Sequence, residues 1–160
     1  MLFNETQITT LYEKNLELAK LRLAELPIAE ARKPELRGLS GWIYEQTIHY
    51  CLNQELMSRC HHLVIQEQAS LGGHAKADLL VNQVAVELKV AGSFGNDEKY
   101  IRHRTTAEER GWKYCYLSQC ESVIRYRENI ERIFGKEMTF YLENDGEWER
   151  FVGMIEASGK

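Results

Sequence analysis

The stretch 75-AKADLLVNQVAVELKV-90 decides how this chain folds. Two short apolar runs flank Asn82-Gln83, a dipeptide that can serve as a two-residue hairpin turn, although it is not the favoured Asn-Gly. With that dipeptide as the loop, Val81 faces Val84, Leu79 faces Val86 and Ala77 faces Leu88, which makes one wholly apolar surface. The opposite surface sets Leu80 against Ala85, Asp78 against Glu87, and Lys76 against Lys89. Carboxylates directly across an antiparallel pair have Cβ atoms about 4.5–5.5 Å apart, where like charges repel. A divalent cation removes the conflict, because hard cations such as Mg²⁺ take carboxylate oxygens and keep water positions open. An amphipathic hairpin with its charged face in solvent gives the same pattern, so other residues must decide between the two readings.

A chain of 160 residues, 44% hydrophobic and 28% charged, is long enough for one domain with a core and too short for two. The reading is therefore a single domain over 1–160, with 1–37 an N-terminal helix and connector. No apolar run approaches a membrane span. The start, MLFNETQITTLYEK, lacks a basic flank followed by an apolar core, so no membrane partner is expected and the expected location is cytoplasmic. Cys51, Cys60, Cys115 and Cys120 have no C-x-x-C spacing, and they are read as small apolar groups rather than zinc or iron–sulfur ligands, with His61 and His62 starting a strand.

The net charge of −4 argues against nonspecific coating of nucleic acid. The sign is uneven, however. Lys99, Arg102, Arg104, Arg110, Lys113, Arg125, Arg127, Arg132 and Lys136 are concentrated in one stretch with His103 and several tyrosines. Interleaved acids make part of it a solvated helix face, and its basic side is the candidate for contacting phosphates.

Asn4 with Gln7 reads as a capping box that opens a helix up to Pro27. Ser40 is read as the cap of a second helix to about Met57. A strand over His62–Gln68 leads through Gly72-Gly73 into the hairpin. A helix from Asn96 or Asp97 runs to about Arg110 and ends at Gly111. A strand over Trp112–Ser118, a helix from Ser122 to Phe134 and a strand over Met138–Leu142 follow, and Trp148–Ile155 closes the chain as strand or helix. The order α-α-β-β-β-α-β-α-β predicts an α/β fold, a mixed central sheet flanked by helices.

Glu45 lies in the second helix, in 38-GLSGWIYEQTIHYCLNQEL-56, on the broad side of Trp42 and Ile48. A helix packed on the sheet edge can deliver it to Asp78 and Glu87; an exposed helix acid is the alternative. The combination resembles the PD-(D/E)xK nuclease superfamily, with its restriction-endonuclease-like fold. It is particularly similar to small members that carry a glycine-led Y-E helix and then A-D-L-L-V…V-x-V-E-L-K. Here these residues are Gly38, Tyr44-Glu45, Ala77-Asp78-Leu79-Leu80-Val81 and Val84-Ala85-Val86-Glu87-Leu88-Lys89. Two departures stand out: Ala77 occupies the place of the superfamily proline, and the following helix offers Tyr100, His103 and Arg104 where many members have a glutamine.

The resemblance implies a Mg²⁺-dependent DNA endonuclease, for which Mn²⁺ substitutes, of restriction, defence or repair type. It implies no small-molecule cofactor. Asp78, Glu87 and the backbone carbonyl of Leu88 would hold the metal, and Glu45 would bind it through water or complete a second metal site. Lys89 would steady or help deprotonate the attacking water. Candidate DNA contacts are Tyr100, Arg102, Arg104, Arg125 and Arg132, while Lys76 is either a phosphate contact or a solvated lysine. One small domain holds one active site, so cutting both strands implies a homodimer. The leucine face of the first helix is available for its interface or for packing on the second helix. A non-catalytic nucleic-acid-binding protein keeping the fold, or an unrelated α/β binding domain, are the competing readings.

Overall fold

The computed structural model describes residues 1–32, 36–90, 94–95, 97–120 and 124–159; the side chains of 32, 36–37 and 124–125 are outside the description. The 82–83 turn organises the sheet. Asn82 (φ 48°) and Gln83 (φ 66°) both lie in the left-handed region, the geometry of the tight hairpin turn whose twist matches its strands. Strand β2 (Lys76–Val81) thus returns as β3 (Val84–Lys89), with Val81 opposite Val84, Leu80 opposite Ala85 and Leu79 opposite Val86. This is the expected register. The Asn82 amide also donates to the Ile155 carbonyl at 2.6 Å, which fixes the turn to the end of the last helix.

Strand β1 (Gln66–Ser70) pairs antiparallel with β2 on the other side. Strands β4 (Lys113–Ser118) and β5 (Thr139–Tyr141) extend the sheet in parallel, giving the order β1-β2-β3-β4-β5. The parallel strands need crossovers, supplied by α3 (Asp97–Glu109) and α4 (Ile124–Phe134). Both crossover helices cover one sheet face, over Ala85, Tyr114, Tyr116 and Tyr141. Helices α1 (Glu5–Glu25), α2 (Leu36–Ser58) and α5 (Glu147–Ala157) cover the other, burying Ile8, Tyr44, Ile48, Trp148 and Phe151 against Leu79, Val86, Leu117 and Phe140. The molecule is an α/β fold with a mixed sheet between two helical layers.

Several boundaries differ from expectation for physical reasons. The capping box at Asn4 and Gln7 is present, and Gly111 (φ 75°) ends α3. Ser40, however, lies inside α2 rather than capping it, and its Oγ is 2.6 Å from the Tyr12 hydroxyl, so a partner across the helix pair uses the group. Strand β1 starts at Gln66 rather than His62: His61 Nε2 stands 2.8 Å from Glu156 of α5, and Leu63 and Ile65 pack against the core ahead of the strand. The closing element is a helix, as the spacing of buried Trp148, Phe151, Val152 and Ile155 requires. Cys51 and Cys115 pack in the interior as expected, whereas Cys60 and Cys120 are exposed; all four are free thiols. The expected cap at Ser122 lies outside the described residues. Among the described residues, no helix is long and apolar enough to cross a membrane.

Candidate active site

The hairpin is tightly paired at its turn and open at its other end. Pairing between β2 and β3 stops at Leu79–Val86. One step further, the expected direct opposition of Asp78 and Glu87 is not a ladder pair. The Leu88 N–H donates at 2.8 Å to Asp78 Oδ2, taking a side-chain carboxylate as its acceptor. Lys76 accordingly pairs with Ser70 of β1 and has no ladder partner in Lys89. Like charges directly opposite destabilise a tight ladder, and here the strands part around them.

The β1–β2 ladder breaks at the same residue. Glu67 pairs with Leu79 and Ala69 with Ala77, but Gln68 and Asp78 do not pair, and Gln68 has φ 51°. Its side-chain amide turns instead to Glu45, with Nε2 3.3 Å from Oε2. Glu45 comes from α2, where it is half-buried between buried Tyr44 and Ile48 and exposed Trp42. It therefore sits at the edge of the apolar side rather than within it, and it reaches Asp78, to which it is hydrogen-bonded.

Three carboxylates consequently share one small volume, and the two glutamates are shifted by it. Burial first, then the Asp78 charge and the hydrogen bond with it, then Glu87, push the Glu45 carboxyl up to about 8. Glu87 is 6% exposed. Burial and the Asp78 charge push it up to about 7, although Lys89 and Lys99 pull the other way.

Lys89 lies beside Glu87, with Nζ 3.4 Å from Oε1 and 5.7 Å from the centre of the Tyr100 ring. Burial alone would lower its pKa, but Glu87 and Tyr100 outweigh that and hold it above the ordinary lysine value. Tyr114 and His103 close the inner wall. The Tyr114 hydroxyl is 3.5 Å from both Glu87 Oε2 and His103 Nδ1, and burial followed by the Glu87 charge drives the phenol strongly upward. Burial and the neighbouring Lys99 and Arg102 charges lower the His103 pKa.

The remaining candidates divide. Tyr100 is buried at the site, stacked on Phe94 and beneath Lys99. Lys76 and Arg102 are exposed. Arg104 is held by Glu108 and by the Ile133 carbonyl, and Arg132 by Asp97 and Asn129. The Arg125 side chain lies outside the described residues. Leu88 has its side chain in the core and its N–H on Asp78. Among the described residues, no group of three or more His, Cys, Asp or Glu side chains is arranged to hold a metal ion as it stands. Sequence reasoning missed Gln68, Tyr114 and the role of Lys99. For Tyr114 the signal was available, since it lies two residues from Tyr116 on an aromatic strand facing the α3 side.

No family model, curated protein or solved structure matches this chain.

Proposed function

We propose that this chain is a Mg²⁺-dependent DNA endonuclease that hydrolyses phosphodiester bonds, of the PD-(D/E)xK superfamily and restriction-endonuclease-like fold, acting in the cytoplasm in restriction, defence or repair. The observation that carries the reading is the confinement of Glu45, Asp78 and Glu87 beside Lys89, with two of the carboxyls pushed to about 8 and about 7 by burial and by one another. An all-oxygen donor set held in mutual repulsion fits a hard divalent cation, whose charge replaces the protons the cluster otherwise keeps.

Asp78 and Glu87 would hold the metal, with the Leu88 carbonyl beside them and Glu45 binding through water or at a second site. A metal bound there supplies a Lewis acid that polarises a phosphoryl oxygen and acidifies a water. Lys89 stays an ammonium next to Glu87, so its part is to orient the attacking water and offset the charge that develops on the phosphoryl oxygens, rather than to act as base. Tyr100 and Tyr114 shield the inner side of Glu87 and Lys89 from solvent and keep their charges strongly coupled. Exposed Lys76 and Arg102 are the described candidates with free reach toward DNA phosphates.

A homodimer completes the reading. The first half of α1 packs on α2 through Ile8 and Tyr12, while Leu18 (50%) and Leu21 (59%) further along are exposed. Set antiparallel against a second copy, α1 matches Leu18 with Leu21, Glu17 with Arg22 and Lys14 with Glu25 of the other copy, a two-fold self-complementary pattern of charge. In sedimentation velocity, Glu17→Arg or Arg22→Glu alone should weaken the dimer and the double exchange restore it; a monomeric wild type would remove this interface.

The test of the activity is incubation of plasmid and linear DNA with Mg²⁺, with EDTA, and with Asp78→Ala and Lys89→Ala. Cleavage that survives chelator or mutation overturns the assignment. Absence of both cleavage and Mg²⁺ binding by calorimetry favours a non-catalytic nucleic-acid-binding protein.

A further inference from the structure

Gln68 is a non-glycine residue in the left-handed region in the middle of a strand, and neither a turn nor an inserted residue accounts for it. The pairs Gln66–Leu80 and Glu67–Leu79 before it and Ala69–Ala77 and Ser70–Lys76 after it keep one frame. A bulge would shift that frame by a residue. Gln68 alone leaves the ladder, and the residue it abandons is Asp78. A β-strand position costs glutamine least in extended geometry, so this conformation persists only if surrounding contacts enforce it. Strain of this kind concentrates at functional sites.

The enforcing contacts are present. Its neighbour Glu67 is bound to the same face of α2, with Oε1 2.6 Å from His49 Nδ1 and 3.0 Å from Gln46 Nε2. That clamp sets β1 against the α2 turn carrying Glu45. The flip of Gln68 then has two results at once: its amide reaches Glu45 Oε2 at 3.3 Å, and Asp78 loses its partner on the β1 side.

We infer that Gln68 is a positioning residue of the carboxylate site, its amide holding Glu45 against Asp78 and its left-handed backbone opening the β1–β2 ladder at Asp78. The inference rests on the reading of that site as a cation site. The amide is a neutral donor among carboxylates, so it directs Glu45 without neutralising it, leaving the cluster's charge for a cation. Glu67, with its imidazole partner, acts one step further out as the clamp.

Two substitutions separate amide from strain. Gln68→Ala and Gln68→Gly both remove the amide, but only glycine accepts the left-handed backbone at no cost. Calorimetric titration with Mn²⁺ alone is expected to show about tenfold or greater weakening in both variants, as for lost partners of metal ligands. In EDTA the glycine variant should melt about 2–4 °C above the alanine variant, the reverse of the usual order in strands. In the wild type, the Gln68 side-chain amide proton resonances should move on Glu45→Ala.

Wild-type Mn²⁺ affinity in both variants, an alanine variant at least as stable as the glycine one, or unmoved amide resonances would each overturn the proposal. A wild type that binds no Mn²⁺, with the melting order and the resonance shift as expected, overturns the cation reading instead and leaves Gln68 as the residue that holds Glu45.

Discussion

Glu55 and Glu87 are both buried glutamates, and their partners take them in opposite directions. Glu55 is fully enclosed, yet its carboxylate accepts from the Leu2 N–H at 2.9 Å, the Phe3 N–H at 3.2 Å and Trp148 Nε1 at 3.1 Å, with Arg59 alongside. Burial raises its pKa, but these donors outweigh it and hold the carboxyl below its ordinary value. Glu87 has Lys89 and a long contact to Tyr114, but burial, together with the Asp78 charge it faces, pushes it up to about 7. An acid whose donors are all supplied by the chain is a structural tie; Glu55 joins the N-terminus, α2 and α5. An acid buried against other acids is an unfinished site, which the proposed cation would complete.

The strongest way to break this comparison is at Asp78, the charge that sets Glu87 apart. Asp78→Asn keeps an acceptor for the Leu88 N–H and removes the repulsion. Cleavage of plasmid DNA in Mg²⁺ should fall by about 10³-fold or more, the scale of several kcal/mol of metal-borne stabilisation. The same variant should melt higher than the wild type in EDTA at mildly alkaline pH. Losing activity while gaining stability marks a functional charge; a variant that is less stable in EDTA would return Asp78 to the class of Glu55.

Next come the two glutamates themselves, each changed to glutamine. Glu55→Gln leaves Arg59 and three N–H donors facing a neutral amide, and should cost about 3 kcal/mol by thermal or urea unfolding. Glu87→Gln removes a repelled charge along with its Lys89 contact, and at alkaline pH without metal should leave stability unchanged or raise it by about 1–2 kcal/mol. Equal losses in the two variants would erase the distinction.

The hairpin was legible from alternation and from Asn82-Gln83, down to the pairing of Leu79 with Val86. What the alternation could not show is that the ladder stops there, because a pattern of facing residues says nothing about whether facing charges stay closed. Gln68 was illegible for a different reason. Its conformation goes with the Glu67 clamp on α2 and its own contact to Glu45, both between distant segments, and local preference pointed to an ordinary strand. The basic residues of 99–136 read as one surface, yet Arg104 and Arg132 are engaged inside the domain by partners no spacing rule connects to them. By contrast, α5 could have been assigned outright, since Trp148, Phe151, Val152 and Ile155 fall at helical spacing and all are buried.

The smallest expected effect separates the two acids by pH. Glu45 at about 8 and Glu87 at about 7 keep protons in the folded chain that the unfolded chain has already lost above the ordinary glutamate range. The folded state therefore binds more protons across that window, and stability falls as pH rises through it, by about 1 kcal/mol per pH unit around neutrality once solvent screening of half-exposed Glu45 is allowed for. Glu55 has the reverse sign: its stabilisation is present above the ordinary range and disappears only as pH falls through its lowered value. Melting curves in EDTA should consequently show a maximum on the mildly acidic side, with a decline toward about pH 8 that Glu87→Gln flattens and Glu55→Gln does not. Excess Mg²⁺ should flatten the same decline, since a cation taking the place of the cluster's protons stabilises the folded state more as those protons leave. A stability profile that rises through neutrality in EDTA, or a Mg²⁺ effect independent of pH, would mean that Glu87 is satisfied by the chain as fully as Glu55 is.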